Sequence, residues 1–390
     1  MRKLFTAAAS LIIALAGTAQ AWDAAGHRAI CWLALDGLSP DTPAFLKDKE
    51  IVHAVGWQAA EPDRWRSQRS NYLMHENAPD HYIDVEDLQL YGLTLTTVPP
   101  LRMQYVAAMA VARHEHPEGI KPYNAKLDPA AQSEWPGFLP HAIMEHQAKL
   151  AASFKTLRIL EALKDPARGP QMEMAKRNIM VEMGILAHFV GDAAQPLHTT
   201  RHHHGWVGDN PKGYTTDKGI HAYIDGRGIK NFKINYAMLK PTQKYDAKVN
   251  AADPWNDVII YIQRSYDQVV PLYELKKSGD IDKDAGKAFI TERLQDAGAM
   301  LAALYNSAWE ASKPTPKDLK DFPRYDAFRP GDVPGAPPDN SPDVPDEPDP
   351  EETKPATPAT PASPAPMPAP TPVPAPAADP SHPAPQAAKP

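Results

Sequence analysis

The stretch QMEMAKRNIMVEMGILAHFVGDAAQPLH, residues 171–198, constrains this chain more than any other. Its first part, 171–194, is long, apolar on a broad face at helical spacing, and closed by Pro196. Further helices are predicted over DAAGHRAICWLALDGL (23–38), which ends at a Gly-Leu-Ser-Pro stop, and over 101–114. The same periodicity predicts helices over 141–163, over 254–276 and over 286–311. Alternating β-branched runs are scarce. The fold class read from this pattern is all-α, as a single mainly helical domain. Two segments, 64–80 and 199–220, read as long polar loops, and loops of that length in a helical domain usually carry function.

The ends of the chain bound this domain. Arg2 and Lys3 precede an apolar run from Leu4 to Ala16, and Ala19-Gln20-Ala21 forms a small-x-small cleavage site. Residues 1–21 therefore read as a secretory signal, and the mature chain is expected to begin at Trp22, secreted or periplasmic. Cys31 is the single cysteine, so no intramolecular disulfide can form. It lies in the apolar stretch AICWLAL, where a buried structural thiol is expected. From Pro330 onward the chain holds about half of its 43 prolines. Such a composition cannot bury enough apolar surface to offset its ordering entropy, so 326–390 is expected to be a disordered tail. From Pro330 onward the acids exceed the two lysines by as much as the whole formal charge of −7, which leaves the domain, 22–325, close to neutral. A basic surface for nucleic acid or membrane is thus not evident from charge alone. No internal repeat is seen, no protein partner is inferable, and a monomer is expected.

The chemistry concentrates in histidine and aspartate. His188 and Asp192 are four residues apart on a helix, share one face and can bind one ion. Pro196 ends the helix and His198 turns back from the loop that follows. His221 and Asp225 repeat the four-residue spacing, and Asp63 in EPDRW and His81 in HYID lie upstream. One such pair alone would be read as a helix-surface contact or a satisfied core histidine. Two pairs, with a Pro-Leu-His turn between them, point to metal, and imidazole with carboxylate but no thiolate suits zinc. A freed Trp22 would offer its α-amine, of ordinary pKa about 8, and its own carbonyl to one metal. His27 follows about one helical turn later.

These residues resemble the nuclease S-one/P-one family, the zinc-dependent type I nucleases, and their relatives the bacterial zinc phospholipases C. The resemblance spans 22–325 and rests on WDAAGH, DRWR, HYID, HFVGDAAQPLH and HAYID. It implies a mainly helical domain holding three zinc ions. Asp63, His81, His188 and Asp192 would hold the first zinc, and His198, His221 and Asp225 the second. The amine and carbonyl of Trp22, with His27 and Asp192, would hold the third, so that Asp192 bridges. Catalytic roles are implied for Asp63, on the attacking water, and for Arg66, on phosphate. Three zinc ions would shift a domain of about −2 to near +4, so the metals rather than a basic patch would attract an anion.

Within this resemblance two features favour a nuclease. Asp225 stands where the phospholipases typically carry glutamate. Gly208-Asp209-Asn210 resembles the nucleases' Gly-Gly-Asn element, which implies a substrate contact at Asn210, although the aspartate in its middle departs from the pattern. The expected activity is hydrolysis of single-stranded DNA or RNA, with nucleotides as further substrates. A phospholipase C acting on phospholipid headgroups is the alternative, and a non-catalytic zinc-binding envelope protein the third reading. Around Asn210, Trp206 and Tyr214 either stack bases or pack the loop. His202, His203 and His204 form a solvated cluster, a shell behind the metals or a further metal site. His53, His75, His114 and His116 read as ordinary surface or loop residues.

Overall fold

A computed structural model describes residues 22–325. The expected signal sequence and the expected disordered tail lie outside the described residues. Helix follows helix, and no strand is present among the described residues, as the periodicity predicts. No helix among them is long and apolar enough to cross a membrane.

The first half runs from α1 (Ala24–Asp36) through α2 (Lys49–Gln58), α3 (Glu61–Ser67) and α4 (Asn71–Asn77) to α5 (Arg102–Glu115). Two long helices follow, α6 (Leu139–Leu163) and α7 (Gly169–Ala194). Three helices of one turn each, α8 (Gly219–Ala222), α9 (Gly228–Asn231) and α10 (Tyr236–Leu239), lead to α11 (Trp255–Tyr266), α12 (Val269–Ser278), α13 (Asp284–Ala311) and α14 (Pro316–Tyr325).

Helix α7 is the axis of the fold. It packs against α1, α2, α3, α6, α11 and α13, and every residue from Met183 to Ala194 is buried. This second half of the helix, covered on all sides, has no solvent face on which to place polar groups, so His188 and Asp192 are enclosed with it. Close approach is permitted by glycine. A Cβ on Gly184 would lie 2.2 Å from Cβ of Gln58 on α2, and one on Gly191 would lie 2.7 Å from Nδ1 of His27 on α1. Cys31 is buried, and burial pushes its thiol up to about 12, which makes it unreactive.

Two expectations need correction. The helix predicted over 254–276 is two helices, α11 and α12, broken at Asp267-Gln268. Pro271 explains the break: in a continuous helix its ring would meet the carbonyl of Asp267, whereas in the first turn of α12 no hydrogen is needed on its nitrogen. The segment 64–80 is mostly helical rather than a loop, folding into the end of α3, α4 and a tight turn over Ala78–His81. These helices are of seven residues or fewer, too short to display a period. The second expected loop, from Thr199, is irregular up to α8.

Candidate metal centre

Helix α7 ends at Gln195, whose backbone turns extended before Pro196 opens a tight turn that delivers His198. Gln195 holds this corner. Its Oε1 accepts from the Leu197 amide at 2.7 Å, and its Nε2 donates to Oδ1 of Asp225 at 2.8 Å. Asp225 sits in a π-type turn, Tyr223–Arg227, that continues α8 and its His221. α1 contributes His27, with Asp23 capping its start by accepting from the amides of Ala25 and Gly26. α3 contributes Asp63, and the turn after α4 contributes His81.

All eight side chains are buried, and they converge from segments far apart in sequence. Around Asp192, one carboxylate oxygen lies 2.9 Å from His81 Nδ1 and 3.5 Å from His188 Nε2, and those two nitrogens are 3.1 Å apart. Its other oxygen faces His27 Nε2 at 3.4 Å. The two oxygens of one carboxylate thus face two sets of histidines. In the neighbouring group, His221 Nε2 is 2.9 Å from His198 Nε2 and 3.3 Å from Asp225. Three sets have ligand atoms close enough to share an ion: His27, Asp63 and His188; His81, His188 and Asp192; and His198, His221 and Asp225. The last matches the second expected ligand set. The first two overlap with the remaining expectations, with His27 lying near Asp63 and His188 as well as Asp192. The Trp22 side chain is fully buried and donates from Nε1 to the carbonyl of Gly191 at 2.8 Å, which seats residue 22 beside His27 and Asp192.

The donor set fits a metal. Both ring nitrogens of His27, Nδ1 of His221, Oδ1 of Asp192 and Oδ2 of Asp225 are buried with no hydrogen-bond partner. Stranded polar atoms of this kind are costly, and five in one cluster call for a missing partner. Tetrahedral coordination at about 2.0–2.1 Å places ligand atoms roughly 3.3 Å apart, close to the spacings above. Carbonyls fix two tautomers. His188 Nδ1 donates to the carbonyl of Ala59 at 2.9 Å and His198 Nδ1 to that of His81 at 2.5 Å. Each ring therefore turns an Nε2 lone pair inward, the form a metal requires. The buried clusters can thus hold metal ions.

Charge reinforces this. Burial pushes His188 and His198 down to about 3, and His27 and His81 and His221 well below the usual imidazole range. It also raises the Asp192 and Asp225 carboxyls well above theirs, and Asp63 to about 6. Without a cation, the pocket favours neutral groups. Arg66 is the one charged side chain whose field reaches all eight. It donates to Asp63 at 2.7 Å and remains partly exposed, at the border between cluster and solvent.

The loop after His198 is packed rather than open. Trp206 stacks on His202 at 3.9 Å and leans on Tyr214 and Tyr273. Tyr214 is buried, with its hydroxyl on Glu274 at 2.6 Å. Of the two roles open to these aromatics, loop packing is the one present. Asn210 uses both ends of its amide on the backbone of Tyr214, each at 2.8 Å, so its visible role is to close the loop. His204 lies 5.2 Å from the His221 ring and His203 4.6 Å from His204, which places these two behind the metal ligands. His53, His75, His114 and His116 are exposed. Sequence reading missed Gln195, which orients Asp225, and Asp84, whose Oδ1 is buried without a partner 3.9 Å from His203. The signal for Asp84 was the HYID motif itself, three residues after His81.

A comparison with models of known protein families finds no match to this chain, and a comparison with curated proteins finds none.

Proposed function

We propose that this protein is an exported, zinc-dependent phosphodiesterase that hydrolyses single-stranded DNA or RNA, of the type I nuclease kind, with three zinc ions. The observation that carries the reading is the convergence of His27, Asp63, His81, His188, Asp192, His198, His221 and Asp225 into adjoining buried sets with stranded ligand atoms. Neutral imidazole and carboxylate without sulfur suit zinc in a hydrolytic site. Asp63, His81, His188 and Asp192 would hold one ion, and His198, His221 and Asp225 a second. His27, Asp192 and the Trp22 backbone would hold the third. When bound, zinc lowers the pKa of coordinated water and polarises phosphoryl oxygens.

The chain's own groups supply the rest. Asp63, buried at the edge of the cluster beside Arg66, is placed to orient a water and take its proton. Arg66, partly exposed beside Asp63, meets the incoming phosphate and balances charge that develops on it. Asn210 supports the site by fixing the loop between His198 and His221.

The test is a paired assay. Zinc-loaded protein beginning at Trp22 is offered single-stranded DNA or RNA and, separately, a short-chain phosphatidylcholine, each with and without chelator. Chelator-sensitive cleavage of nucleic acid is expected. Headgroup release alone would replace this reading with a phospholipase C, and turnover of neither substrate would leave a metal-binding protein of another kind.

A further inference from the structure

We propose that α2, α3 and α4 carry a docking surface for single-stranded nucleic acid, built from Trp57, Arg64, Arg69 and Tyr72, that leads a long strand to the metal centre. The proposal rests on the nuclease reading and extends it from the scissile bond to the strand beyond.

The two most exposed aromatic residues in the described chain are Tyr72, at 88 % exposure, and Trp57, at 58 %. Both flank Asp63 and Arg66, on the helices before and after α3. Tyr72 makes no hydrogen bond or ring contact among the described residues, so packing does not account for it. Arg64 lies over the Trp57 ring at 4.4 Å and donates to the Trp57 carbonyl at 2.9 Å, a stacked guanidinium and indole held as a unit. Between α3 and α4, Arg69 is exposed, takes no ion pair among the described residues, and holds a left-handed backbone with φ of 56°. That conformation is uncommon away from glycine. Of the two carboxylates on α3, Asp63 faces the buried cluster and Glu61 alone faces outward, paired to Arg64. The outward side thus carries aromatic and arginine side chains in alternation, with Glu61 paired to Arg64 and Glu76 of α4 also exposed. This is the chemistry that single strands select, because every base offers a π face and every linkage a negative charge. A duplex has its bases stacked on one another and offers no such faces.

Steady-state cleavage of a long oligothymidylate and of a dinucleotide tests the idea, over a series of salt concentrations, for wild type and for W57A, Y72A and R69A. Loss of one stacking platform should raise KM for the oligonucleotide about tenfold, and the ratio of the oligonucleotide KM to the dinucleotide KM should rise with it. R69A should flatten the salt dependence of the oligonucleotide KM by about 0.7 in log–log slope, the share of one phosphate contact on a single strand. A purely structural role would leave that slope in place. Equal effects on both substrates, or none, would overturn the proposal while leaving the nuclease reading intact. If wild type cleaves neither substrate, that reading fails, and anisotropy of labelled oligothymidylate decides the surface separately. Salt-sensitive binding weakened in all three variants would uphold it, and absence of binding would overturn it.

Discussion

Replacing Asp192 by asparagine separates what the cluster costs from what its metal contributes. The carboxylate is fully buried, with ring nitrogens of His81, His27, His188 and His198 at 2.9, 3.4, 3.5 and 4.0 Å. Without metal, burial first and the nearby Asp63 second raise its pKa well above the usual carboxylate range, favouring the neutral acid. Asparagine copies that neutral group in size and shape. The metal-free variant should therefore lose about 1 kcal/mol or less. With metal the outcome differs, because an amide cannot replace a bridging carboxylate. An ion present at a hundredfold its dissociation constant stabilises the folded chain by about 2.7 kcal/mol. That corresponds to roughly 5–11 °C in melting temperature at about 2–4 °C per kcal/mol. D192N should lose this increment for the sets built on Asp192 and keep the share from His198, His221 and Asp225. Thermal unfolding followed by circular dichroism, in chelator and on stepwise addition of zinc, measures both quantities, with metal content determined after gel filtration. A zinc-dependent rise equal to that of wild type would refute Asp192 as the shared ligand. A large loss of stability in chelator would refute the neutral-acid argument.

Three further outcomes follow from the same geometry. G191A places a Cβ 2.7 Å from His27 Nδ1 and should cost about 1–3 kcal/mol as overpacking, with reduced metal content because His27 is displaced; an unchanged melting point and unchanged metal content would contradict the close packing of α1 on α7. In chelator, stability should fall as pH falls from about 6 to 4: burial holds nine imidazoles below their usual range, those of His27, His81, His141, His188, His198, His202, His203, His204 and His221, so the unfolded chain takes up protons that the fold does not, and the protons that the fold retains on six raised carboxyls, Asp63, Asp80, Asp84, Asp192, Asp225 and Asp296, offset only part of this. Each uncompensated proton contributes about 1.4 kcal/mol per pH unit, and urea unfolding that is flat or more stable toward acid would contradict the assignment. Finally, a chain beginning at Trp22 should bind more zinc than one carrying a single residue before it, since that residue converts the amine to an amide; equal stoichiometry by elemental analysis would remove Trp22 from the ligands.

Helical class, the long helices, the two HxxxD pairs and His198 were legible in the sequence from local spacing, whereas His27, Asp63 and His81 were picked out through the resemblance. The HxxxD pairs announce themselves at one turn of a helix, and Pro196 marks the corner that frees His198. The short helices α3 and α4 were not legible, being too short for a period to emerge, and the split of α11 from α12 turned on one ring, that of Pro271. Asn210, Trp206 and Tyr214 show the opposite limit. Their types suited contact with a base, yet their neighbours in space engage them in the loop's own packing.

Residue identity by itself determined which candidate ligands this chain owns and that its long apolar-faced segments are helical, since donor chemistry and periodicity are properties of the chain. Tertiary structure alone decided that Asp192 turns its two oxygens toward different histidines, that the carbonyls of Ala59 and His81 aim two imidazoles inward, and that Gln195 steers Asp225. Those choices depend on atoms brought together from distant parts of the chain, across more than a hundred residues for Ala59 and His188 and across 30 for Gln195 and Asp225. Two of the acceptors that fix them are backbone carbonyls, which every residue carries and no sequence distinguishes.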